Sequence, residues 1–246
     1  MADKRRKPIV DPRAAERRRS LMMKVGAAVL LVAIAAAVGI WVVVSNKSST
    51  GSSETPSVAT GDAYRVSAAP AGTEPKVVVT LVEDFQCPAC KAFETQFAGA
   101  LEQLRSNPDV AIDYRPITFL DGQSTTQYST RAANAAACVA QSTAGNGDWS
   151  TWLKFKDALY AQQPPEGGSG LPDDQLASIA QQAGAQNVSQ CIRDRQFESW
   201  VSEGTKKALN SGIDSTPTVQ IDGEKYQLTT PDALVQAVQD AVSKKQ

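Results

Sequence analysis

Histidine is absent from all 246 residues. That absence excludes Ser-His-Asp and Cys-His nucleophilic catalysis, and with them every metal site that depends on an imidazole ligand. Cysteine is scarce, with four residues. A zinc site would need all four to converge, yet only Cys87 and Cys90 show C-x-x-C spacing, and Cys138 and Cys191 form no second such pair. Zinc is therefore the weaker reading of the cysteines.

Net charge is also nearly absent, at −1, but this hides an asymmetry. In residues 1–24 nine basic side chains face three acidic ones, giving +6, and the remainder carries sixteen basic against twenty-three acidic, giving −7. A basic head on an acidic body lacks the basic stripe on a folded domain that nucleic-acid binding requires, so no nucleic acid is expected as a partner.

One long uncharged run is present. Val25 to Val44, "VGAAVLLVAIAAAVGIWVVV", spans 20 residues, the length a helix needs to cross a hydrocarbon core of ~30 Å. A cleaved signal peptide has a shorter apolar region followed by a small-x-small site. Here Ala35, Ala36 and Ala37 lie inside the run, and "WVVVSNKSS" closes it. The run therefore reads as an uncleaved transmembrane anchor at 25–44. The basic segment 1–24 stays cytoplasmic, and the body lies outside the plasma membrane, where disulfides persist.

Residues 45–61, "SNKSSTGSSETPSVATG", read as a flexible tether. A globular domain is expected over 62–246. "AYRV" suggests a first strand, and "KVVVTLVED", Lys76 to Asp84, is the β-branched run of a buried strand. Cys90, Phe93, Phe97, Leu101 and Leu104 recur at helical spacing up to Asn107-Pro108, and "VAIDYRPI" reads as another strand. A long helical stretch over about 122–211 follows, interrupted by "QQPPEGGSG". The chain then returns to a hairpin around Asp222-Gly223 and a final helix capped by Thr230 or Asp232. Strand, helix, strand, helical insert, hairpin and helix fit one α/β domain with an all-helical insertion.

In "LVEDFQCPACKAFE" the strand gives way to the helix at Cys87. Pro88 then fills the first helical position, where a missing N–H is harmless, and Cys87 becomes the N-cap. There its sulfur faces free backbone N–H groups and the positive end of the helix dipole, both of which stabilise a thiolate. Cys90, one turn on and beside Phe93, is the shielded partner. A purely structural bridge across so short a loop would remove little chain entropy, so redox chemistry is the stronger reading.

"EDFQCPACKAFE" opening a helix and "STPTVQIDG" starting a strand after a helical insert resemble the DsbA-like family of the thioredoxin superfamily. The resemblance covers roughly Lys76 to the C-terminus. It implies a thioredoxin-like fold and disulfide chemistry through Cys87 and Cys90, with Pro88 and Ala89 between them. It also implies a cis Pro217 against the cysteine pair and Thr216 offering backbone groups to a substrate strand. Two departures stand out. Strongly oxidising members carry histidine between the cysteines, so one thiolate donor is missing. Many relatives also place a glutamate six residues before the first cysteine, where this chain has Leu81. Glu83 and Asp84 are the nearest acids, and Asp84 is the candidate to relay the proton of Cys90, against the bland reading of a solvated strand end.

With Cys87 and Cys90 paired, Cys138 and Cys191 are left to each other as a structural disulfide. The alternative is two buried free thiols, which suits a reducing compartment. Trp149, Trp152, Phe155, Tyr160, Phe197 and Trp200 read as core of the insert rather than a peptide groove, and "KFKDALYAQ" as an ordinary amphipathic helix.

The expected function is an extracytoplasmic oxidase that introduces disulfides into secreted or envelope proteins, without cofactor or metal. By family analogy a quinone-linked membrane protein of the DsbB or vitamin K epoxide reductase type reoxidises it. The rivals are a reductase or isomerase of the same fold and a non-enzymatic thioredoxin-fold binding or metal-carrier module. The short span between the anchor and Lys76 leaves no room for a dimerisation domain, so a monomer is expected.

Overall fold

The computed structural model describes residues 54–70 and 72–245. The basic segment, the expected anchor at Val25–Val44 and the tether through residue 53 lie outside the described residues. Among the described residues no helix is long and apolar enough to cross a membrane.

Five strands form one sheet: β1 (Tyr64–Ser67), β2 (Val77–Glu83), β3 (Val110–Pro116), β4 (Thr218–Ile221) and β5 (Glu224–Tyr226), in the order β1-β3-β2-β4-β5. β2 runs parallel to β3, with Val79 opposite Ile112, and β4 runs antiparallel to β2, with Leu81 opposite Val219. β2 is central and has five of its seven residues buried, which suits its nearly continuous apolar run. Asp222 and Gly223, both at positive φ, make the β4–β5 turn.

Helix α1 (Pro88–Ser106) follows β2 and buries Cys90, Phe93, Phe97, Leu101 and Leu104. The insert comprises a 3-10 turn at Asp121–Gln123 and helices α2 (Tyr128–Thr143), α3 (Ser150–Ala161), α4 (Asp173–Ala183), α5 (Ser189–Arg193) and α6 (Glu198–Asn210). Helix α7 (Pro231–Ser243) ends the domain, with the Thr230 hydroxyl accepting from the N–H of Ala233 at 3.2 Å. The six insert aromatics are all buried, and Tyr64 of β1 packs against Trp149, Trp152 and Trp200. They are core.

Two boundaries differ from the sequence reading. Residues 54–61 do not behave as open tether: Pro56 is buried, Ser57 donates its N–H to Gln141 at 2.7 Å, and Trp200 donates to the carbonyl of Gly61 at 3.1 Å. A few apolar side chains and backbone bonds suffice to dock this Ser/Thr-rich segment on the insert, so the domain begins before Asp62. The last helical stretch also breaks between α5 and α6. Arg195 takes positive φ there, and Asn134 accepts the N–H of Phe197 at 2.9 Å.

Candidate active site

The site lies where β2 hands over to α1. Cys87 is the N-cap of α1 in an extended conformation, and Pro88 is the first helical residue. Cys87 and Cys90 are present as thiols. The Thr216–Pro217 bond, just before β4, is cis, and Cys87 Sγ donates to the Thr216 carbonyl at 3.5 Å. The fold thus brings Cys87, Pro88, Ala89, Cys90 and Thr216-Pro217 together from segments about 130 residues apart.

The two sulfurs differ sharply. Cys87 is lowered from an ordinary 9.0 to about 5, through the thiol of Cys90 first, against the opposing effect of burial, and then through the Thr216 side chain and the backbone N–H groups of Cys90 and Ala89. Cys90 has no solvent exposure, and its thiol is pushed far up by burial, by its bond to Cys87 and by the charge of Glu83. An N-cap position and a position one turn inside have this consequence for chemically identical side chains.

Asp84, the candidate from the sequence, has both carboxyl oxygens engaged. Its Oδ1 accepts from the N–H of Gln86 at 2.8 Å and from Ser129 Oγ at 2.6 Å, and its Oδ2 accepts from the N–H of Leu120 at 2.9 Å. Burial raises it to about 6 in spite of those three donors. Asp84 therefore braces the end of β2 against the segment after β3 and the start of α2. Only its backbone N–H reaches Cys90.

The acid that reaches Cys90 is Glu83. It is buried, its Oε1 has no hydrogen-bond partner, and burial and then the charge of Glu94 hold its carboxyl well above the usual range. Glu94 of α1 in turn pairs with Lys156 of α3, Oε2 to Nζ 2.5 Å. Lys156 is 2% exposed and lies 5.1 Å from the centre of the Tyr114 ring. Burial alone would lower this lysine, but Glu94, Tyr114 and Glu83 outweigh it and keep the ammonium charged. Glu83, Glu94 and Lys156 thus form one buried cluster in which the Glu83 carboxyl is pushed toward its protonated form. Sequence reasoning missed Glu94 and Lys156, and it passed over Glu83 for Asp84. Leu81 and Glu83 lie two residues apart and so on the same face of β2. An acid shifted by two along a strand keeps its face, and that was the available signal.

Away from the site, Cys138 of α2 and Cys191 of α5 form a disulfide across 53 positions, Cα to Cα 5.9 Å. The bridge joins two insert helices and leaves the redox pair alone.

A sheet of this order with a C-x-x-C at the head of α1 and a cis-proline loop beside it defines a thioredoxin-type redox domain. A family model described as Thioredoxin matches residues 72–240, and the chain belongs to that family. Among solved structures the chain is similar to oxidised DsbA of Mycobacterium tuberculosis, with 35% identity and a TM-score of 0.64, covering 74% of this chain and 93% of that one. It is also similar to reduced DsbG of the same organism (32%, TM-score 0.64, 76% and 94%) and to MdbA, a thiol-disulfide oxidoreductase of Corynebacterium diphtheriae (29%, TM-score 0.61, 77% and 93%). Curated relatives include the serine/threonine-protein kinase PknE of Mycobacterium tuberculosis, 35% identical over 112 residues, or 44% of this chain. The match spans only 19% of the kinase's length. The fold is that of the DsbA-like thiol–disulfide oxidoreductases.

Proposed function

We propose that the protein is a thiol–disulfide oxidase, anchored in the plasma membrane with its domain outside, that introduces disulfides into secreted or envelope proteins. The observation that carries this reading is the contrast between the stabilised thiolate of Cys87 and the buried thiol of Cys90. A stabilised thiolate favours the reduced protein, so the Cys87–Cys90 disulfide draws electrons from substrate thiols.

The steps follow from the geometry. A substrate thiolate attacks Cys87 Sγ of the disulfide. The Cys87–Cys90 bond breaks, a mixed disulfide to Cys87 forms, and Cys90 leaves with the electron pair. Glu83, held protonated beside Cys90, supplies the proton that the leaving sulfur needs and recovers one from solvent. A second substrate thiolate then attacks the substrate sulfur and releases Cys87 as thiolate. Two electrons have passed to the protein, with one of the two substrate protons held by Cys90 and the other given to solvent. The carbonyl of Thr216 and the start of β4 offer an extended peptide a place to pair as it docks. A quinone-linked membrane protein of the DsbB or vitamin K epoxide reductase type then removes the electrons.

The anchored, extracytoplasmic setting is supported by the charge asymmetry about Val25–Val44 and by a structural disulfide of the kind that persists in oxidising compartments. Protease accessibility of the domain on intact cells tests it. Equilibration of the redox pair with glutathione tests the direction. An oxidase should fall on the oxidising side of about −180 mV, the value of protein disulfide isomerase. A value near the −270 mV or so of thioredoxin, without net oxidation of a reduced protein, would turn the reading into a reductase.

A further inference from the structure

One side chain of the insert bonds twice to the backbone of the active-site loop. Gln163 follows α3, is half-buried, and donates from Nε2 to the carbonyl of Phe85 at 2.9 Å and to the carbonyl of Cys87 at 3.0 Å. The partners lie 78 and 76 positions away in sequence. Around this contact the same segments touch again. Lys91 donates to the carbonyl of Ala161 at 3.3 Å, Gln86 donates to that of Pro165 at 3.5 Å, and the Phe85 and Tyr160 rings stand 5.4 Å apart.

The carbonyl of Cys87 is an unusual point to hold. Pro88 has no N–H, so the peptide between Cys87 and Pro88 has only that carbonyl by which it can be fixed. The Lys91 N–H reaches it from inside the helix at 3.2 Å, and Gln163 is the partner from outside. The orientation of this peptide sets where the N-cap cysteine stands relative to the first open N–H groups of α1. Asp84 fixes the other side of the loop by accepting the N–H of Gln86. The loop is thus held by its N–H at Gln86 and by its carbonyls at Phe85 and Cys87.

We propose that Gln163 is a positioning residue for the redox reaction, holding the Phe85 and Cys87 carbonyls so that the sulfur of Cys87 faces the open N–H groups of Ala89 and Cys90. It touches neither sulfur and acts through the backbone of Cys87. The donors it aligns are among those that lower Cys87, after the Cys90 thiol and Thr216, which gives the contact a chemical consequence beyond docking two segments. The proposal rests on the reading of Cys87 as the nucleophile.

Gln163→Met keeps the length and the packing of the side chain and removes both donors. In the full chain it should raise the pKa of Cys87 by about one unit, read from thiolate absorbance against pH. The reduced protein should become about tenfold less favoured against glutathione at neutral pH, a shift of about 30 mV for this two-electron couple. Gln163→Asn, which keeps the amide but falls one methylene short of the carbonyls, should move both readouts in the same direction. It serves should the methionine variant fail to fold. Gln162→Met, at an exposed neighbour in the same segment, is the control. A folded Gln163 variant with unchanged Cys87 pKa and glutathione equilibrium would overturn the proposal and leave Gln163 as a structural tie. A Cys87→Ser variant that still oxidises dithiols would instead overturn the reading beneath it.

Discussion

Cys90 and Glu83 are both closed off from solvent and electrostatically linked, so that ionising the Glu83 carboxyl would raise the Cys90 thiol. Glu83 is the last residue of β2 and Cys90 lies in the first turn of α1, so the strand-to-helix transition itself brings them together. Burial and the charge of Glu94 push Glu83 toward its protonated form, and burial, Cys87 and Glu83 push Cys90 the same way, because neither ion is hydrated there. A carboxyl in that position is costly to the fold and is useful only to a sulfur that changes its protonation.

Replacing Glu83 should separate those two effects. Glu83→Leu removes a buried carboxyl that burial disfavours, and with it a hydrogen bond to Glu94, so the variant should melt no lower than the parent. It also removes the proton beside Cys90, and single-turnover reduction of the disulfide by a dithiol peptide should slow by about 10²-fold. Stopped-flow kinetics and a melting curve on one preparation suffice. A slower but less stable variant would point to lost packing instead.

The sulfur of Cys87 predicts a pH dependence with a definite sign. Its value in the folded reduced protein, about 5, lies below the ordinary 9.0. A depressed acid contributes stability that is fully present above the unfolded value and is lost as pH falls through the folded one. The reduced protein should therefore gain stability over the oxidised form from pH 5 upward toward pH 8. Cys87→Ser should lack that gain. Paired thermal melts across this range check it, and parallel curves for parent and variant would remove the stabilised thiolate from the account.

How legible was this site in the sequence? The local part could be read. Cys87 at a strand–helix junction, Pro88 after it and Thr216-Pro217 before a strand each follow from residues within a few positions. The proton store could not be read, because it is tertiary. Lys156 sits in "KFKDALYAQ", whose pattern is that of any amphipathic helix, and only the packing of α3 against α1 turns it inward onto Glu94. Gln163 shows no pattern in the chain and acquires its partners only when the insert folds back on the loop. Asp84 was the adjacent acid and the plausible one, but the N–H groups of Gln86 and Leu120 and the hydroxyl of Ser129 occupy its oxygens, two of the three from 36 or more positions away. The helical insert was legible as helices, whereas the break at Arg195 depends on Asn134, 61 positions earlier in the chain.

The asymmetry of the pair can be read by trapping. With Cys87 intact and Cys90→Ala, the first attack still forms a mixed disulfide, but no neighbouring thiol remains to resolve it. Non-reducing gels of cells expressing that variant should show adducts with substrate proteins. Cys87→Ala should show none and should lack activity. Adducts through Cys90 in the Cys87 variant would reverse the roles, against its complete burial.

The Cys138–Cys191 bridge should matter to stability and not to chemistry. It ties α2 to α5, two helices of the insert, whereas Cys87 and Cys90 lie at the head of α1. Closing a loop of 53 positions removes enough freedom from the unfolded chain to stabilise the domain by about 4 kcal/mol in the chain-entropy model. The surrounding contacts of α2, including Asn134 to the carbonyl of Ile192 at 3.3 Å, remain when the sulfurs go, so α5 keeps its place in the folded state. A double alanine variant should accordingly unfold at lower denaturant while its Cys87 pKa and its rate with a dithiol peptide match the parent. Measuring all three on one variant distinguishes a staple from a second redox centre. A changed potential of the Cys87–Cys90 pair at unchanged stability would mean that the two disulfides communicate, and that the insert does more than cover the site.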